Sequence, residues 1–272
     1  MAFRNFIIIC ATFAVALAQS TELQLEAIEA HFQNAELVPV PIPVFDPTAV
    51  LTANFQGLGD ITPGQLISQD QVANSPNLTL TPANSTITLN GNYTVAMIDP
   101  GAVGSDQSQG QNRHWLVNGA TIVDNKVNFD GATTITAYAG PAPPAGSGPH
   151  RYTIVIYTQG ANFAPPQNLS SLVPGVELFD FPSYVKSTNL GPLVAGIYYQ
   201  VEVGTATASI PATSSVISST LPAANPSSSG KPSGTSSGSK PTGTTGNTSG
   251  AMGNLVSGSL LGITVVLSYI ML

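Results

Sequence analysis

Cysteine occurs once in 272 residues, as Cys10, which excludes an internal disulfide framework and a cysteine-built zinc site. Charge is nearly as scarce. Asp, Glu, Lys and Arg make up 8% of the chain, about a third of the roughly 25% usual in soluble domains. Lys and Arg number 7 against 14 Asp and Glu, a net of −7. Neutralising phosphates along a nucleic acid needs clustered cations, and these are scattered, so a nucleic-acid partner is excluded. Also missing are a Gly-x-Ser-x-Gly elbow, a cysteine nucleophile and closely spaced histidine metal ligands, so the chain reads as a non-enzyme with no cofactor and no metal.

What the sequence does contain is organised by its ends. Residues 1–18 hold one cation, Arg4, an apolar run from Phe6 to Leu17, and Ala16-Leu17-Ala18 before Gln19. That is the pattern of a secretory signal peptide, shorter than the about 20 apolar residues of a membrane helix. Cys10 falls within it, so the mature protein is expected to carry no cysteine. At the other end, Leu255 to Leu272 is apolar and uncharged, preceded by a polar spacer and small residues around Asn247. Residues 251–272 therefore read as a GPI-anchor signal, with attachment at Asn247, or alternatively Ser249 or Gly250. A transmembrane helix at the tail is the other reading, against which stands the missing basic flank. Residues 209–250 are rich in Ser, Thr, Gly and Pro, too poor in large apolar side chains to offset their ordering entropy. They read as an O-glycosylated stalk, reaching on the order of 100 Å at roughly 3 Å per residue when extended.

One domain remains, residues 19–208. It holds all fourteen acids but only Arg113, Lys126, Arg151 and Lys186, a net of −10. Sequons at Asn77, Asn84, Asn92 and Asn168, with a fifth at Asn247, would supply through N-glycans the hydration that charge does not.

Leu23, Leu25, Ile28 and Phe32 recur at helical spacing between acids at 22, 26 and 29, predicting an N-terminal amphipathic helix. The proline-rich VPVPIPVFDP from Val38 excludes helix and reads as an extended edge segment. Strand-like runs follow at Ala49–Phe55, Asn77–Thr81, Tyr93–Ile98, His114–Val117, Thr133–Tyr138, Tyr152–Thr158 and Gly196–Val203. They are β-branched or aromatic and bounded by turn residues. A mainly β, mostly antiparallel domain is the expectation, with a short helix near Phe181–Lys186.

Three places carry chemistry. Period two puts Tyr93, Val95, Met97 and Asp99 on one strand face, leaving the Asp99 carboxylate at the strand end. His114 opens the apolar strand His114-Trp115-Leu116-Val117. A Gly/Pro-rich loop from Tyr138 then delivers His150 and Tyr152 onto one face of the next strand, with Arg151 pointing the other way. Alone, Asp99-Pro100 reads more simply as a turn, and His114 as a core residue; the loop that delivers His150 is the more specific of the three.

Together these segments resemble the phosphatidylethanolamine-binding protein (Raf kinase inhibitor-like) family. The matching stretches are Asp99-Pro100, His114-Trp115-Leu116-Val117, and Pro143-Pro144-Ala145-Gly146-Ser147-Gly148-Pro149-His150-Arg151-Tyr152, in the family's order. Ile61-Thr62-Pro63-Gly64 and the stretch from Pro192 to Gln200 extend the resemblance over about residues 25–203. The resemblance implies a two-sheet β fold with few short helices and a small cavity for a phosphate-like anion, lined by Asp99, His114, Pro144, His150 and Tyr152. The residue chemistry suits that role: imidazole N–H and phenol O–H are donors, and a carboxylate beside a histidine favours the imidazolium. The chain departs from the family where its second aspartate is Gly101, a following proline is Val103, and the run before the histidine is Gly110-Gln111-Asn112. The C-terminal helix that some members place beside the pocket is replaced by the Ser/Thr tract.

The functional expectation is a non-catalytic binding protein at the cell surface. It would hold an anionic small molecule or phospholipid headgroup and be tethered to the plasma membrane, or in the cell wall, through its GPI anchor. The alternatives are a secreted serine protease inhibitor, with a protease as partner, and a structural wall or surface glycoprotein.

Overall fold

The computed structural model describes residues 21–211, 215–217 and 221, so the leader expected over 1–18, Asn247, the tail 251–272 and most of the 209–250 tract lie outside the described residues. Helix α1 occupies 21–34 of these. It buries Leu25, Ile28 and Phe32, the apolar stripe left by the acids. It stops at Glu36, left-handed at φ 51, where the Leu37 N–H returns to the Phe32 carbonyl at 3.0 Å. The next segment differs from the extended edge read from the sequence. Residues 38–41 form turns, with cis bonds before Pro39 and Pro41. Proline has no N–H to give a neighbouring strand, and Leu37 and Ile42 flanking the turns are fully buried instead.

Eleven strands follow: β1 (Ala49–Phe55), β2 (Gly59–Asp60), β3 (Gln65–Leu66), β4 (Asn77–Pro82), β5 (Tyr93–Asp99), β6 (Gln111–Val123), β7 (Lys126–Asn128), β8 (Thr133–Thr136), β9 (His150–Gln159), β10 (Glu177–Phe179) and β11 (Leu190–Val201). All seven strand runs read from the sequence form. The other four span two or three residues, too short to show a period. The hydrogen-bonded order is β2-β1-β4-β7-β6-β5-β9-β11-β3, with β8 and β10 also on β6. Pairing is antiparallel throughout except between β11 and β3. Strand β6 belongs to both layers: up to Ala120 it pairs with β5, and from Thr121 to Val123 with β7. The sheet therefore curls into two.

Alternation assigns the two faces. Tyr93, Val95 and Met97 of β5, with Tyr152, Ile154 and Ile156 of β9, pack between the layers against Leu51 and Phe55 of β1 and Leu78 and Leu80 of β4. Ala96, Ile98, Val155 and Tyr157 face the other way, onto Ile28 and Phe32 of α1 and onto Phe181 and Tyr184. Every residue of β5 is therefore buried. Phe181 and Tyr184 belong to helix α2 (Phe181–Ser187), which Asp180 caps by accepting the Ser183 N–H at 3.0 Å. After β11 the chain doubles back across the loop before β9. There the Gly146 N–H reaches the Val203 carbonyl (2.8 Å) and the Thr207 N–H the Gly146 carbonyl (2.9 Å).

Candidate functional site

Asp99 ends β5 opposite Asn112 of β6 and is 3% exposed. Its Oδ1 accepts the Gly101 N–H at 2.7 Å, an Asx turn that reverses the chain. Gly101 stands at φ 81, and a β-carbon there would lie 2.6 Å from the Ser105 hydroxyl. Ser105 thus takes the space next to the position at which the sequence lacks a second aspartate.

The first residue of β9, His150, meets the same carboxylate, with Nδ1 2.8 Å from Asp99 Oδ2. Its Nε2 lies 2.9 Å from the Ser147 hydroxyl, whose oxygen is also 2.7 Å from the Pro144 carbonyl. Nδ1 faces an acceptor-only carboxylate, so it carries a hydrogen and donates. Ser147, His150 and Asp99 thus form one hydrogen-bonded chain.

His114 is held differently. Its Nδ1 is 2.9 Å from the Ala139 carbonyl, which only accepts, so Nδ1 carries the hydrogen. Burial, outweighing the pull of that carbonyl and of Asp99, pushes its pKa below 6.5. The ring is neutral, with the lone pair on Nε2. Where the sequence reading offers both histidines to an anion alike, the structure separates them: His150 is bonded to Asp99 and Ser147, and His114 is a desolvated ring bonded to the Ala139 carbonyl. Tyr152 lies between them, edge-on to His114 (centroids 5.1 Å) and stacked toward His150 (6.5 Å). Its hydroxyl is buried beside the Ala142 backbone and the Asp99 carboxylate and makes no hydrogen bond of normal geometry among the described residues. Burial first, then the charge of Asp99, hold its pKa far above the phenol range, so it remains a neutral donor.

The structure therefore brings together Asp99, His114, His150 and Tyr152, packed on one another rather than lining open space. Asp99, His114 and Tyr152 are buried, and the His150 side chain is 12% exposed. Pro144 is exposed and contributes its carbonyl. Sequence reasoning missed Ser147, which stands three residues before His150 in a Gly-Ser-Gly turn. Arg151 does point the other way and is fully buried. It donates to the carbonyls of Gly101 (2.9 Å), Ala102 (2.9 Å), Pro100 (3.3 Å), Ala35 and Glu36 (3.3 Å). Arg113 is buried as well, bonded to Thr136 (2.6 Å) and paired with Glu177 (3.4 Å). The four sequon asparagines Asn77, Asn84, Asn92 and Asn168 are all exposed.

The neutral state of His114 has a consequence for stability. The unfolded chain takes up a proton near 6.5, where the folded one does not. This contribution is complete above that pH and is lost as pH falls below it. His31, also shifted down by burial, acts in the same sense. Melting temperature should fall between about pH 7 and about pH 5. His114→Asn, which keeps a donor for Ala139 but does not titrate, should flatten the slope; an unchanged slope would clear His114 of this role.

A family model described as phosphatidylethanolamine-binding protein matches residues 57–199. The chain is similar to a 26 kDa secreted antigen of Toxocara canis, 30% identical over 176 residues, spanning 62% of each chain. It is also similar to the carboxypeptidase Y inhibitor of Saccharomyces cerevisiae, 23% identical over 186 residues, which cover 57% of this chain and 85% of the inhibitor. Among solved structures, that of carboxypeptidase Y inhibitor complexed with its cognate proteinase superposes with a TM-score of 0.54 at 20% identity, covering 65% of this chain and 95% of that one. A phosphatidylethanolamine-binding protein from Plasmodium vivax superposes at 0.51 and 17% identity, covering 65% and 97%. These two share the fold. Since the matched residues, 57–199, make up more than half of the chain and contain Asp99, His114 and His150, the chain belongs to the phosphatidylethanolamine-binding protein family.

Proposed function

We propose that this chain is a non-catalytic, exported binding protein that holds a phosphate-bearing small molecule or a phospholipid headgroup at Asp99, His114, His150 and Tyr152. The observation that carries this reading is the convergence of the Asp99–His150–Ser147 hydrogen-bonded chain on a buried Tyr152 hydroxyl that makes no hydrogen bond of normal geometry among the described residues. An anion oxygen that took the place of Ser147 on His150 Nε2 would accept from the imidazole and from Tyr152, and a bond from a protonated imidazole to an anion is among the stronger ones. Export is supported by the leader pattern, by four exposed sequons, and by a relative described as a secreted antigen. Anchoring through Asn247 belongs to the same reading.

The test is a histidine-detected NMR titration with inorganic phosphate, phosphoethanolamine and glycerophosphoethanolamine. The first probes the free anion, the second a phosphate monoester and the third the diester of a lipid headgroup. His150 resonances should move with at least one probe, and His150→Ala should weaken binding about 10-fold or more, the loss of one charged hydrogen bond. If no His114 or His150 resonance responds to any of them, the reading fails. Protease inhibition is a second reading, favoured by the similarity to the carboxypeptidase Y inhibitor. Assays against secreted serine proteases and a serine carboxypeptidase separate it from the first.

A further inference from the structure

The loop that covers His150 is itself pinned by the segment leaving the domain. Both backbone groups of Gly146 are taken by it: the N–H by the Val203 carbonyl, and the carbonyl by the N–H and the hydroxyl of Thr207 (2.9 and 3.1 Å). Ser147, the next residue, presents its oxygen to His150 Nε2 at 2.9 Å, in the place a ligand oxygen would take. Farther on, Ile210 lies 2.8 Å from where a β-carbon on Gly148 would stand, beside Ala102, and Pro211 lies against Gly104. Residues 203–211 thus bridge the two segments that flank the Asp99–His150 pair, the turn at 101–104 and the loop at 144–148.

We propose that residues 203–211 form a strap that holds Ser147 on His150 and closes the site, and that an anion enters when the strap lifts. This rests on the anion-site reading above. The hold is shallow: Gly204, Thr205, Thr207, Ala208 and Ser209 are exposed, and Ile210 sets a large apolar side chain against Gly148 of the loop. Segments with few buried contacts and exposed hydrogen bonds open at low free-energy cost. Apparent affinity is then the intrinsic affinity reduced by the fraction of molecules with the strap lifted. Because the strap continues directly into the Ser/Thr-rich tract, ligand access becomes coupled to whatever that tract is attached to or engaged by.

The test uses the full chain carrying Thr207→Pro and Ile210→Ser, which removes both Thr207 bonds and the apolar contact, titrated with phosphoethanolamine. Binding about 10-fold tighter than the parent, abolished by adding His150→Ala, is the expected result. Equal affinity in parent and variant, still lost with His150→Ala, would overturn the strap while leaving the site intact. Absence of binding in both would overturn the site and the strap together. Amide exchange in the unmodified protein gives a second measure that does not depend on a variant: saturating phosphoethanolamine should speed exchange at Thr207 about 10-fold. Unchanged or slowed exchange on saturation would count against lifting.

Discussion

Replacing Arg151 by methionine should cost the domain about 4 kcal/mol or more, because it strands several buried carbonyls at about 1–3 kcal/mol each. The guanidinium is fully buried and spreads its donors over Ala35, Glu36, Pro100, Gly101 and Ala102. No carboxylate bonds it directly, and burial, only partly offset by Glu36 and Asp99, draws its pKa down to about 10. It stays charged at neutral pH and works as a fork of donors. That fork ties the end of α1 to the turn that follows Asp99, so its loss loosens the N-terminal helix and the site together. Arg151→Lys keeps the charge but has one nitrogen where five carbonyls need a planar spread, and should fall between parent and methionine. Against a typical domain stability of about 5–15 kcal/mol, the methionine variant should melt well below the parent in urea or heat. A loss under about 1 kcal/mol would refute the clamp.

Arg151 also marks where the sequence stops being informative. Period two on β9 places it opposite His150 and Tyr152, and the structure agrees. The destination of its side chain depends on Glu36 and Gly101, residues far along the chain whose carbonyls carry no sequence signature. The same division runs through the site. Asp99 at a strand end, and His150 with Tyr152 on one face, follow from alternation; their convergence on His114 follows from the family motifs and their order. Ser147 was not legible, because its hydrogen bond to His150 depends on how the 144–148 loop turns. The difference between the two histidines was not legible either, since burial and the Ala139 carbonyl decide it. Helix α2, expected near Phe181–Lys186, forms on an Asp180 cap. The strap was hidden by composition: residues 204–211 resemble the tract they lead into, and among them only Ile210 breaks that pattern.

Gly110 lies just before β6, two residues ahead of Asn112, the strand partner of Asp99, and its replacement by alanine is the second large effect expected. It precedes β6 at φ 94, and a β-carbon there would fall 2.6 Å from the Phe179 carbonyl oxygen and 2.8 Å from its carbon. Those are backbone atoms at the junction of β10 and α2, so no side-chain rotation relieves the clash. The left-handed backbone costs of order 1–3 kcal/mol for a non-glycine residue, and forcing an extra carbon into packed structure about 1–3 kcal/mol more. A total near 3 kcal/mol or above is expected. Gly131→Ala supplies the control: it has a similar φ of 77 and no atom within 4 Å of its would-be β-carbon, so it registers the backbone cost alone. The difference between the two variants measures the contact. In Gly110→Ala, β10 must move off β6, breaking the pairing of Phe179 with Gln111 and disturbing the bond from the Phe181 N–H to Gln111 (3.2 Å). Amide exchange should therefore rise in β10 and α2 while β9 stays protected. Equal stability of the two alanine variants would mean that Gly110 is needed for its backbone angle only, and that β10 yields without loss.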